Sequence, residues 1–95
     1  MFYTSIIWDD ESDPRGNVQH VSEHNLKVEE VESVLAAPAS EGPGNSSAFP
    51  AVWGLVPDGR YIIVIYEEID EDTVRVITAY EVPEPKTKVK KRRKK

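Results

Sequence analysis

Ninety-five residues and 10.7 kDa support one small domain rather than two, and 39% hydrophobic residues allow only a small core. The absence of cysteine excludes a disulfide framework and a thiolate metal site, and no apolar run is long enough to span a bilayer. The net charge of −5 is a sum of unlike parts: eight of the 12 basic residues fall in the last ten positions, so the first 85 residues hold four basic and all 17 acidic residues, 4 − 17 = −13.

The opening, "MFYTSIIWDDE", has neither a basic start nor a long apolar stretch, so it does not read as a signal peptide and a cytoplasmic protein is expected. Within it, "FYTSIIW" (2–8) is rich in β-branched and aromatic residues and predicts a strand. Asp13 followed by Pro14 spells a helix start, and a first helix is expected from Pro14 or Gly16 to His24, with Val18 and Val21 on its buried stripe. Asn25 suits a left-handed C-cap. "LKVEEVESVLAA" predicts a second helix. Val28, Val31, Val34 and Leu35 share one face, Glu29 and Glu30 stand in the first turn, and Pro38 ends it. Glu29, Glu30 and Glu32 are expected on a solvated face.

"PASEGPGNSS" (38–47) reads as a loop. Three strands are expected after it: "FPAVWGLV", then "RYIIVIYE" beyond the turn "PDG", then "TVRVITAYEV" beyond "EIDED". The middle one is apolar at both parities and should be central. The order is β-α-α-β-β-β: an α+β domain, residues 1–83, with two helices on one face of an antiparallel meander and a disordered basic tail at 84–95.

Several residues carry chemistry. "HVSEH" places His20 and His24 four apart with Glu23 beside the second, the spelling of one class of zinc peptidase. Catalytic zinc needs a third protein ligand, which nothing nearby supplies at a fixed spacing, so neither a metal nor another cofactor is expected. An imidazole is also a proton carrier near neutral pH, and His24 with Glu23 or Glu29 is a candidate acid–base pair. Trp8 and Trp53 suit base stacking, but a tryptophan in a strand is more often core. Arg60 shares strand parity with Ile62, Val64 and Tyr66; Arg75 shares it with Ile77, Ala79 and Glu81. The two arginines meet only if the strand register brings them together. The basic run, Lys86, Lys88, Lys90, Lys91, Arg92, Arg93, Lys94 and Lys95, suits salt-sensitive contact with nucleic acid.

Four stretches taken together resemble the BrnT family, the toxin half of bacterial type II toxin–antitoxin pairs, which has a RelE-like ribonuclease fold. "WDDES" resembles the family's Trp-Asp opening, and "EHNLKVEEVESVL" is similar to its "KHGVSFEEAxxVF" block. "DGRYIIVIYEE" is similar to its "DGRxLxVxYT" hairpin, and "VRVITAYEV" to its "IRIISAR" strand. The likeness spans roughly residues 8 to 82. It implies an RNA-cleaving toxin with a cognate antitoxin as partner and RNA as substrate. It also implies site positions at His24, Arg60 and Arg75. The chain departs from the pattern at Glu23, where the family has Lys, at Asn25, where it has Gly, and at Tyr80, where it has a second Arg. The runner-up reading is a diverged, non-catalytic domain that binds protein or nucleic acid through its tail.

Overall fold

The computed structural model describes residues 5–44 and 48–84; the basic run at 86–95 lies outside them. The elements are β1 (Ser5–Ile7), α1 (Asn17–Glu23), α2 (Val28–Ala36), β2 (Ser40–Pro43), β3 (Pro50–Leu55), β4 (Tyr61–Glu68) and β5 (Thr73–Glu81). They form an α+β domain with one five-stranded sheet in the order β1-β5-β4-β3-β2. β2 to β5 pair antiparallel in succession, and β1 adds parallel to β5. The central place of β4 follows from its composition, since every residue from Tyr61 to Tyr66 is buried. Among the described residues no helix is long and apolar enough to cross a membrane.

Both helices pack on one face. Val21 of α1 and Val31, Val34 and Leu35 of α2 meet Val52, Ile62, Val64, Tyr66, Val74, Val76 and Ala79 of the sheet. The i, i+3, i+4 spacing on α2 presents these apolar residues as one stripe. A smaller cluster, Ala51, Ile63 and Ile65, lies on the opposite face beneath Trp53, Ile77, Tyr80 and Val82.

Three expectations are corrected. The stretch 38–47 is not all loop: Ser40–Pro43 is an edge strand, with Ser40 opposite Trp53 and Gly42 opposite Ala51. Its Pro and Gly content is tolerated because only one edge of it is paired. The pair Asp13-Pro14 makes a turn rather than the helix start. Gly16 N–H donates to the Asp13 carbonyl at 3.0 Å, and α1 begins at Asn17 with Gly16 at its N-cap. The first helical N–H, that of Asn17, is capped by the Asp9 carboxylate at 2.9 Å instead. Long range thus does the work that the local signal suggested. Finally, a bulge breaks the alternation of β5. Ile65 stands opposite Thr78 and Tyr66 opposite Val76, so Ile77 is an extra residue. Arg75 and Ile77 therefore face away from the helices, while Ala79 faces them; the four residues expected on one side are divided.

The left-handed Asn25 is observed, with φ of 62°. It closes α1 and turns the chain into α2.

Candidate functional site

At one end of the sheet the α1–α2 junction meets the start of β4 and the end of β5. His24 caps α1, and its ring lies 5.6 Å from that of Tyr80 at a 50° tilt. This is an offset, tilted contact of the kind aromatic rings favour. His24 is exposed and Tyr80 half-buried, so the pair is open to solvent on the imidazole side.

Arg60 enters the same corner. Its Nη1 donates to the carbonyl of Asn25 at 2.7 Å, the residue next to His24. Nη2 donates to Glu30 Oε2 at 3.0 Å, and Nε to both Asp58 carboxylate oxygens at 3.0 and 2.9 Å. Glu30 in turn accepts the Lys27 N–H at 2.9 Å and so caps α2. The arginine thus ties the β3–β4 turn to the helix junction. The Arg60 side chain lowers the Asp58 carboxyl below its usual range, chiefly through its hydrogen bond, and Asp58 raises the guanidinium in return. A guanidinium has five N–H donors, and these bonds leave one on each terminal nitrogen.

Arg75 is elsewhere. It stands opposite Glu67, whereas Arg60 precedes the first residue of β4, so the two are separated by seven residues along the sheet, about 23 Å at strand rise. They also lie on opposite faces, since Arg60 shares parity with the helix-facing residues of β4. Arg75 Nη2 donates to Asp9 Oδ2 at 2.7 Å past the end of β1. Asp9 is the partner of Asn17, a fully buried polar side chain. Asn17 Oδ1 accepts the Asp9 N–H at 2.8 Å, and Nδ2 donates to the carbonyls of Ile7 at 3.0 Å and Val76 at 2.8 Å. The backbone N–H of Asn17 is the main cause that holds the Asp9 carboxyl low; desolvation opposes it, and the hydrogen bond and charge of Arg75 add to the lowering. This network locks β1, α1 and β5 together.

The structure therefore brings His24, Tyr80 and Arg60 to one corner and takes Arg75 away from it. His20 and Glu23 are exposed, and among the described residues no group of three or more His, Cys, Asp or Glu is placed to hold a metal ion. The acids of α2 are not simply solvated. Glu30 clamps Arg60, Glu32 accepts the Trp8 indole N–H at 2.9 Å, and only Glu29 is exposed. Trp8 packs on the helix-facing core and Trp53 on the opposite cluster. Sequence reasoning missed Asn17 altogether; its side chain is satisfied by residues 8 to 59 positions away, and no local pattern marks that.

Fold and corner together define a small α+β domain, two helices on one face of a five-stranded mixed sheet, with a His–Tyr pair beside a clamped arginine. No family model, no curated protein and no solved structure matches the chain.

Proposed function

We propose that this chain is a BrnT-like toxin-type ribonuclease domain that handles RNA at the corner of His24, Tyr80 and Arg60. One observation carries the reading: of the four candidate positions His24, Arg60, Arg75 and Tyr80, three meet at that corner, although they are 20 or more residues apart in the chain. RNA cleavage by the 2′-hydroxyl needs a proton acceptor, a proton donor and a cation near the phosphate. In this reading His24 takes the 2′-proton. The 2′-oxygen then attacks phosphorus as the P–O5′ bond breaks, leaving a 2′,3′-cyclic phosphate, and the Tyr80 hydroxyl, in ring contact with His24 and standing where the family has arginine, gives its proton to the departing 5′-oxygen. Arg60 offers the two N–H groups that its carboxylate partners leave free. Arg75 is assigned to the Asp9–Asn17 network and not to the phosphate. A cognate antitoxin is the implied partner.

Cleavage of RNA by the purified full chain tests this. His24→Ala is expected to lower the rate by about 100-fold or more, the usual worth of a general base, while Tyr80→Phe lowers it less. A folded parent that leaves RNA intact at micromolar enzyme would refute the nuclease reading.

A second reading is favoured by one specific observation: both candidate arginines are already neutralised by carboxylates, on a body at −13. A diverged, non-catalytic domain that contacts nucleic acid through residues 86–95 fits that charge distribution. Its binding would weaken steeply with salt and would not respond to His24→Ala.

A further inference from the structure

We infer that the Asp58–Gly59 bond is a site of spontaneous backbone modification, through a succinimide to isoaspartate, and that the Arg60 clamp is what holds this reaction back. Of the aspartates and asparagines in the chain, Asp58 alone is followed by glycine. The reaction needs the amide nitrogen of the next residue to reach the aspartyl Cγ, and a glycine there puts no side chain in the way. The turn leaves room for the approach. Pro57, Asp58 and Gly59 are exposed, Gly59 has φ of 98°, and a Cβ built on it would meet nothing within 4 Å.

The chemistry requires no co-reactant but water. The Gly59 nitrogen loses its proton to solvent and attacks Cγ of the protonated Asp58 carboxyl. A C–N bond forms, a C–O bond breaks and water leaves, which closes a five-membered imide. A second water opens the ring. Where it adds at the former backbone carbonyl, the chain thereafter runs through Cγ, and the freed α-carboxylate becomes the charged group. Mass is unchanged, but the backbone of the turn gains one methylene.

Both reacting groups are held by the fold. The Asp58 carboxylate accepts the Arg60 backbone N–H at 3.1 Å and Arg60 Nε at 3.0 and 2.9 Å. These bonds favour the ionised carboxylate, whose Cγ resists attack, and the Asp58 carboxyl accordingly lies below its ordinary range, chiefly through the Arg60 side-chain bond. The nucleophile is engaged as well: Gly59 N–H donates to the Val56 carbonyl at 2.9 Å. Arg60 is fixed from its far side by the Asn25 carbonyl and by Glu30, so the guard is anchored in the helix junction and not in the turn it protects. Isomerisation takes the carboxylate from its place on Nε and lengthens the turn, so a modified chain loses the tie between that turn and the helices. This inference is independent of the RNA reading.

Peptide mapping, with methylation of isoaspartyl carboxyls by a repair methyltransferase as the probe, tests it. The full chain is kept at physiological temperature and neutral pH, folded or in guanidinium chloride, and each variant is compared with its own unfolded state. The Asp58 side chain is 53% exposed, so its bonds count at the low end for charged groups, and the folded parent should form isoaspartate at position 58 at least about tenfold more slowly than the unfolded chain. Arg60→Ala, folded by circular dichroism, should recover most of that difference. Arg60→Gln, which keeps length but not charge, should do the same. Gly54→Ala, which presses on Val34 and leaves Asp58 and Arg60 in place, should stay as slow as the parent. Equal rates in the folded parent and the unfolded chain overturn the inference. So do arginine variants no faster than the parent, or matched by Gly54→Ala, since the protection then belongs to the fold as a whole. An unfolded chain that forms no isoaspartate at position 58 removes the site itself.

Discussion

Replacing Asn17 by alanine is the most informative single test of how this fold is held together. The side chain is 2% exposed and makes three bonds to backbone: it accepts from Asp9 N–H at 2.8 Å and donates to the carbonyls of Ile7 and Val76 at 3.0 and 2.8 Å. Alanine removes all three and leaves the partners behind. An unsatisfied buried group costs about 1–3 kcal/mol, and the Asp9 and Ile7 groups are only part-buried, so the low end of the range applies to them. The expected loss is therefore about 3 kcal/mol. That is a large share of the roughly 5–15 kcal/mol of a small domain. With a urea slope of about 1 kcal/mol/M for a chain of this size, the midpoint should fall by about 3 M. Asn17→Asp should be no better. It keeps an acceptor for Asp9 N–H, but it turns an oxygen toward two carbonyls and sets a second carboxylate beside Asp9. Equilibrium urea unfolding followed by tryptophan fluorescence and by circular dichroism reads both variants. A midpoint shift under about 1 M at unchanged slope would mean that water replaces these bonds, and the reasoning would be wrong.

Other outcomes follow from the same geometry. Gly16→Ala would place a Cβ 2.7 Å from Asp9 Cβ, so the β1–α1 connection must move; unfolding midpoints should drop more than for Gly54→Ala, whose Cβ meets Val34 Cγ1 at 3.1 Å. Asp9 titrates below the ordinary carboxylate range when folded, so the folded state binds fewer protons than the unfolded one between the two values. The stability gap between parent and Asp9→Asn should thus be constant above about pH 5 and close as the pH falls through and below about 4, the unfolded value. A gap that does not narrow as the pH falls below about 4 contradicts this. Arg60→Lys should destabilise nearly as much as Arg60→Ala in urea unfolding. A single ammonium cannot span Asn25, Glu30 and Asp58 in their fixed directions, and equal stability of parent and lysine variant would show that the clamp is idle.

Much of this architecture is legible locally. The apolar run of β4, at both parities, announces a central strand. The periodic valines of α2 announce its buried face, and Asn25 announces the turn between the helices. Each is a property of neighbouring residues and is read without knowing what they pack against. The α+β class follows from the order of those elements, because a strand, two amphipathic helices and a meander have few ways to bury their apolar faces together.

The corner of His24, Tyr80 and Arg60 lies at the limit of that reading. Each residue is visible in the chain as a candidate. What brings them together is the pairing of β4 with β5 and the turn at Asn25, neither of which sets a distance until the register is known. The separation of Arg60 from Arg75 was decided by that register, and one bulged residue, Ile77, reverses the facing of the residues after it on β5, Tyr80 among them.

Sequence alone determined two helices and four of the five strands, their order and the division between an acidic body and a basic end, because propensity, periodicity and charge are sums over neighbouring residues. Tertiary structure alone decided that β1 joins β5 in parallel and that Ser40–Pro43 closes the opposite edge. It decided, too, that Asp9 caps a helix eight residues away and that Asn17 holds three elements together. These depend on which backbone groups are left without partners once the sheet has formed, and that is settled only when residues distant in the chain come into contact.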